Sequence, residues 1–317
     1  TKPITAMGIM LLAEEGKLSI DDPVEKFLPE FKGQFVTELK TADTLTLKKP
    51  IRPITIRDLL THTAGQPENP PGLSDLMRKR NRTLAEVVGI DSQRPLDFEP
   101  GSKWKYSSAG MDTLGRIIEV LSGKSYEQFL DERIIQPLGL HDTAFYLSMQ
   151  QQNRLAELCT IRDGKLVTAD AMAAVPTKKP RFPSPAGGLY STAADLARLY
   201  SALLGQLNHG QLQGPRILSD ESLKTMTKTQ TGDLETGFTP GMSYGLGFAV
   251  VRNPQGITEM LSPGTFGHGG AYGTQAWLDP QKDVFYVLLI QRTGLRNSDA
   301  SEMRLAFQTL AAKAIEP

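Results

Sequence analysis

The texture of this chain changes once, near Gly205, and that change limits the possible folds more than any single residue does. Before it, apolar residues recur at helical spacing: Ile4, Met7, Met10 and Leu11; then Met111, Leu114, Ile117, Ile118 and Leu121; then Phe129, Ile134 and Leu138; then Leu196, Leu199 and Leu203. After it, residues 244–251, 274–278 and 284–290 are short, β-branched and aromatic, with Gly, Pro and Asp between them. That is the pattern of antiparallel strands joined by tight connections. A last helix, expected over about 298–315, carries Met303, Phe307 and Leu310 on one stripe and is expected to cover a face of the sheet. Helices followed by strands, rather than alternating with them, make an α+β fold. The expected division is a mainly helical region over 1–205 and an antiparallel sheet with a C-terminal helix over 206–317.

Composition removes several functional classes. The 35 basic and 35 acidic residues balance, so nothing draws the chain to nucleic acid or to an anionic membrane. The single cysteine, Cys159, excludes an internal disulfide and offers no thiolate cluster for a metal, and it leaves the redox compartment open. No apolar run reaches the length of a bilayer span, and residues 1–317 include no signal peptide, an absence that carries little weight where the start is expected to be truncated. At 317 residues the chain suits one large domain or two intimately packed ones.

Local signals place the elements. Gly16 is a stop for the first helix, and the segment from Leu18 to Phe31 reads as a turn-rich connection. Thr55 is a good N-cap with Asp58 in the following turn, and His62, beside apolar positions, reads as a hydrogen-bonded structural histidine. Residues 66–74 should form a loop edging a cleft. Residues 150–185 are expected to be mostly irregular, and 125–128 form a capping box, Ser-Tyr-Glu-Gln.

Three positions carry possible chemistry. Lys2 sits in the first turn of a helix, where the dipole disfavours a cation. It is either an ordinary lysine at a chain end or the base for a serine one turn earlier, since residues three apart share a helix face. Tyr106 follows the Pro100-Gly101 turn and precedes Ser107 and Ser108, which can cap the next helix. His268 lies within Phe-Gly-His-Gly-Gly-Ala-Tyr-Gly, residues 266–273, where glycines allow close backbone approach to a ligand or simply make a hairpin.

Taken together in this order, these stretches resemble the serine β-lactamase and penicillin-binding-protein family, in the branch holding class C β-lactamases, related carboxylesterases and D-amino-acid peptidases. The resemblance spans Thr1-Lys2, 55–65, 99–115, 185–199, 244–248 and 267–280. It implies a serine β-lactamase-like fold, an antiparallel sheet flanked by helices plus a mainly helical region. It makes Lys2 the lysine of S-x-x-K, whose serine would stand two residues before Thr1, so the chain is expected to be truncated just after its nucleophile and to lack the sheet's N-terminal strands. Tyr106 becomes the tyrosine of Y-x-N, with Ser108 in the asparagine place. His268-Gly269-Gly270 becomes the third motif, and the Ala271 N–H becomes one oxyanion donor. The tyrosine's role requires nearby positive charge to lower its pKa, and His268 would orient substrate or help hold its carboxylate.

The implied reaction is acyl transfer through a serine acyl-enzyme on a small ester, amide or peptide, with no metal or organic cofactor. Ser108 for asparagine and a titratable histidine for a permanent cation favour an esterase or D-peptidase over a β-lactamase. A pseudoenzyme that binds peptides without turnover is the reading from another class. Members of the family are commonly exported to the periplasm or cell surface, and the oligomeric state is open.

Overall fold

The computed structural model describes residues 1–68, 82–169, 183–208 and 215–315. Helix α1 (Lys2–Glu14) is the hub. Its expected stripe is buried, but so are Ala6, Ile9 and Leu12 on the other sides, together with Lys2 and Thr5. A helix apolar all round belongs inside the core rather than on its surface.

Around it pack α2 (Ile56–Leu60), α3 (Leu84–Ser92), α4 (Ser108–Ser122) and α5 (Tyr126–Leu130), the last running on through a π turn at Asp131–Ile135. Helix α4 buries Met111, Leu114, Ile117 and Ile118 on the expected stripe. Ser107 caps it by accepting the Gly110 N–H at 3.2 Å. Thr55 caps α2 as expected, and Asp58 completes the box by accepting the Thr55 N–H at 2.8 Å. Arg52 then holds Asp58 with two hydrogen bonds of 2.6 and 2.9 Å. Thr55→Ala removes both the cap and a donor to a buried carboxylate, so it should cost about 1–2 kcal/mol, read as a lower urea midpoint. Ser125 caps α5 through the Gln128 N–H, but the expected reciprocal bond is absent because the Gln128 amide donates to Glu132 at 2.8 Å.

Two hairpins were not expected from the sequence: β1 (Val36–Lys40) with β2 (Leu45–Lys48), and β3 (Cys159–Arg162) with β4 (Lys165–Thr168). The second breaks up the stretch read as irregular, where a short helix α6 (Met149–Gln152) also forms. Its turn is Asp163-Gly164, both at positive φ (51° and 71°), the backbone that two-residue hairpin turns require. The rest of that stretch from 170 to 182 lies outside the described residues, as does residue 69 onward in the loop over 66–74.

Past α7 (Ala193–Asn208) and α8 (Asp220–Thr227), the chain makes a five-stranded antiparallel sheet in sequential order. The strands are β5 (Met242–Tyr244), β6 (Ala249–Val251), β7 (Phe266–Gly269), β8 (Gln275–Asp279) and β9 (Val284–Leu288). The stretch expected as one strand over 244–251 is a hairpin, because the Gly247 N–H leaves the sheet to donate to Leu60 O at 3.0 Å. Likewise 266–269, expected as part of a glycine-rich connection, is itself a central strand.

Alternation along these strands sends Val250, Phe266, Ala276 and Leu278 into the main core with α1 and α4, and Val251, Trp277 and Tyr286 to the other face. Helix α9 (Glu302–Ile315) covers that second face with part of the expected stripe, since Phe307 packs against it and Leu310 does not. Leu310 is 67 % exposed, whereas Arg304, Gln308 and Ala312 are buried. The Arg304 guanidinium lies over the Trp277 ring at 4.2 Å and donates to Gln308 Oε1 at 2.8 Å. An arginine and a glutamine that hydrogen-bond at i, i+4 can share a buried face with apolar residues, which apolar spacing alone does not reveal.

Candidate active site

The three chemistry-bearing residues come from three elements: the first turn of α1, the turn that leads into α4, and the end of β7. The turn is held from outside. Lys105 N–H donates to His62 O at 2.9 Å, Gly101 N–H to Thr63 O at 2.8 Å, and Ser107 N–H to His62 Nδ1 at 3.2 Å. Tyr106 is thereby placed by backbone on both sides. His62 is the structural, hydrogen-bonded residue expected, and its backbone sits at φ 60° to bring the imidazole under Tyr106, ring centroids 4.5 Å apart.

Lys2 is buried and donates to Ala186 O at 2.6 Å. Its ammonium lies 4.6 Å from the centroid of the Tyr106 ring. The His268 ring stands 6.1 Å from that of Tyr106, centroid to centroid. The structure therefore brings Lys2, Tyr106 and His268 into one cluster, although they are far apart in the chain. Burial lowers the Lys2 amine to about 8, against the pull of Asp112 and then Glu68, which favour its charged form. The neutral amine that a general base needs is therefore far more accessible near neutral pH than in an exposed lysine.

Tyr106 and His268 carry charge states other than those the family likeness required. Burial first, and then the carboxylates of Asp299 and Glu68, push the Tyr106 phenol well above its ordinary value. Positive charge does not lower it, so Tyr106 stays a phenol and acts as a donor. Burial first, and then the Lys2 charge, lower His268 to about 3. It is a neutral imidazole at pH 7, so it offers a substrate carboxylate no ion pair. Its Nδ1 lies 2.5 Å from Gly269 O, and a carbonyl only accepts, so Nδ1 carries the proton and Nε2 is a bare acceptor.

The remaining expected site residues lie around this cluster. Ser108 opens α4, and its N–H donates to Glu68 Oε1 at 3.2 Å. Gly269 and Gly270 are glycines for packing reasons within the protein. A Cβ on Gly269 would stand 1.9 Å from Asp299 Oδ1, and one on Gly270 would stand 2.1 Å from Thr274 Oγ1. Ala271 is exposed, and among the described residues no carbonyl accepts its N–H.

Other neighbours were missed by the sequence reading. Tyr244 packs edge-on to His62 and His268, and Trp104 and Phe238 wall the outer side of Tyr106. Asp112 and Asp91 are buried behind Lys2. Their signal was available in part: Asp112 is an acid within an apolar helical stripe, where an unpaired carboxylate is costly.

Comparison with known proteins now decides the family. A family model described as Beta-lactamase matches residues 1–311. The chain belongs to the β-lactamase family. Among relatives of this β-lactamase-family chain, esterase EstB of Burkholderia gladioli is 30 % identical over 317 residues, covering 92 % of this chain and 76 % of EstB. Among solved structures, EstCE1, described as a hydrolase with promiscuous acyltransferase activity, is 27 % identical with a TM-score of 0.72, covering 98 % of this chain and 82 % of that one. The octameric penicillin-binding protein homologue from Pyrococcus abyssi is 26 % identical with a TM-score of 0.70, covering 99 % of this chain and 64 % of that one. The α+β architecture, helices against an antiparallel sheet, is thus that of the family's solved members. Among the described residues no helix is long and apolar enough to cross a membrane.

Proposed function

We propose that this chain, when preceded by a serine two residues before Thr1, is a serine hydrolase that transfers acyl groups from small esters through an acyl-enzyme. The observation that carries the reading is the buried amine of Lys2, held 4.6 Å from the Tyr106 ring and lowered to about 8 by its surroundings. A serine one turn before Lys2 shares its helix face. The amine takes the hydroxyl proton as Oγ attacks the carbonyl, and the oxyanion is met by backbone N–H donors, with Ala271 the candidate on β7's side. Tyr106 passes its proton to the leaving oxygen as it takes one from the Lys2 ammonium, so it is a phenol before and after the step. Water then attacks the acyl-enzyme by the same route in reverse.

Ester preference follows from the same residues. Ser108 presents no amide to a substrate amide, and a neutral His268 presents no cation to a substrate carboxylate, so groups that recognise β-lactams and D-peptides are weak here. The likeness to an esterase at 30 % identity supports this choice. The likeness to a penicillin-binding protein homologue keeps D-peptidase activity as the second reading.

One preparation of the serine-bearing chain tests both. It should be labelled by a fluorophosphonate probe and hydrolyse short-chain nitrophenyl esters faster than a D-alanyl peptide or a chromogenic cephalosporin. Faster turnover of the D-alanyl peptide would select the second reading. Absence of labelling and of all turnover, with peptide binding retained, would leave a pseudoenzyme.

A further inference from the structure

Behind Lys2, away from Tyr106, the segment Pro185-Ala186 is pinned against α1 and α4. Thr5 Oγ1 donates to Pro185 O at 2.9 Å and is itself 2.6 Å from Tyr126 Oη. Ala186 O accepts from Lys2 Nζ at 2.6 Å, and the Ala186 N–H faces the carboxylate of Asp112 on α4. Three residues further along α4, on the same helix face, Gly115 lets Pro185 approach so closely that a Cβ there would stand 2.3 Å from Pro185 Cγ. Asp112 is 2 % exposed, and its Oδ1 has no hydrogen-bond partner among the described residues. A carboxylate placed this way is expensive unless it is paired or takes up a proton.

We propose that Asp112 is a positioning residue for the Lys2 amine, holding it through the Ala186 peptide and tuning, through space, its affinity for a proton. The inference rests on the hydrolase reading for its purpose, but its physical content is a property of the chain as given. The peptide on one side of Ala186 meets Thr5 and Asp112, and the next carbonyl meets Lys2. Fixing the first therefore aims the second.

The charges around the pair come from every packed element. Asp91 of α3, 3 % exposed and with Arg94 Nη1 at 3.7 Å, faces Asp112, as do Glu68 and Lys2. Tyr126 of α5 feels the Asp112 charge. Lys2 in turn faces Glu68, His62, His268 and Tyr106. Burial, and then Asp91, raise Asp112 to about 8, opposed by Lys2 and the Ala186 N–H. Burial thus pushes the aspartic acid up and the lysine down, each toward its neutral form, while each charge favours the other. The ionised carboxyl favours the ammonium, so it keeps Lys2 from becoming neutral too readily.

Asp112→Asn keeps an oxygen for the Ala186 N–H and removes the charge, whereas Asp112→Ala removes both. The test follows the 13Cε resonance of Lys2 in chain labelled with 13C-lysine, assigned by its loss in Lys2→Met, across a pH titration. The native midpoint should lie near 8. In Asp112→Asn it should fall by about one unit, a tenfold loss of proton affinity. Asp91→Asn, which relieves a repulsion on Asp112, should move it in the opposite direction. A Lys2 midpoint unchanged in Asp112→Asn, in protein shown folded by circular dichroism, overturns the proposal whatever Asp112→Ala does.

In the serine-bearing chain the acid limb of ester hydrolysis should shift down by the same amount as the resonance. If the resonance moves and no ester is cleaved, the hydrolase reading fails and the positioning role stands. If ester is cleaved and the resonance does not move, the positioning role alone fails.

Discussion

Replacing Lys2 with methionine in the serine-bearing chain is expected to reduce ester hydrolysis about 10³-fold while making the protein harder to unfold at pH 7. The loss of rate follows from removing the amine that shares a helix face with a serine one turn earlier, since Tyr106 is held as a phenol and cannot replace it as a base. The gain in stability follows from linkage. The lysine falls from 10.5 to about 8 in the folded chain, chiefly because burial disfavours its charge. A folded value below the unfolded one means that the unfolded chain binds more protons between those limits, so stability rises with pH there.

Below about pH 8 the full penalty applies, about 3 kcal/mol for a drop of this size. Methionine also forfeits the bond to Ala186 O, which is worth about 1 kcal/mol. The net expectation is a gain of about 1–2 kcal/mol at pH 7. Urea midpoints at pH 7 and pH 10 check this: the advantage of the variant should be largest at pH 7 and shrink by pH 10. A variant less stable than the native chain at pH 7 would show that the buried amine is not strained. The native rate should climb through an acid limb near pH 8, where Lys2 gives up its proton.

Gly267→Ala should destabilise the sheet by about 3 kcal/mol, at the upper end of what an added methyl costs in a packed interior. A Cβ there would stand 2.2 Å from Ala276 O and 2.7 Å from Trp277 Cα, both backbone atoms of the strand that pairs with it. Gly267 is opposite Trp277 in the register, so relief requires β7 and β8 to part or slip. Either movement displaces His268, the next residue, and activity should fall with stability. Gly269→Ala makes a contact that is closer on paper, 1.9 Å, but with Asp299 Oδ1, the end of a side chain that can swing away. Its cost should be the smaller of the two. Urea midpoints of both variants measure the order, and a Gly267→Ala midpoint equal to the native one would mean that the strands yield more easily than their pairing suggests.

What was legible in the sequence was short-range. Thr55 with Asp58, Ser107 before α4, and the stripe Met111, Leu114, Ile117, Ile118 follow from hydrogen bonds and contacts within a few residues, and each is found where expected. Where one pattern had two meanings, the sequence misled. Residues 244–251 alternate like one strand and fold as two, because a partner in α2 takes the Gly247 N–H. The α9 stripe faces partly outward because Arg304 and Gln308 pair with each other against Trp277. The Asp163-Gly164 turn was a plain hairpin signal, outweighed by the prolines and lysines beyond it.

The sequence by itself determined the α+β class and the order of its elements, and through family likeness it singled out Lys2, Tyr106 and His268. Tertiary structure alone decided what state those groups are in. Desolvation and the charges of Asp112, Asp299 and Glu68 set the proton affinities, and these act through space between residues far apart in the chain. A lysine whose amine is lowered, a tyrosine kept as a phenol and a histidine kept neutral have the same one-letter codes as their exposed counterparts. The fold makes the difference by removing water from around them and placing particular carboxylates and carbonyls in its stead.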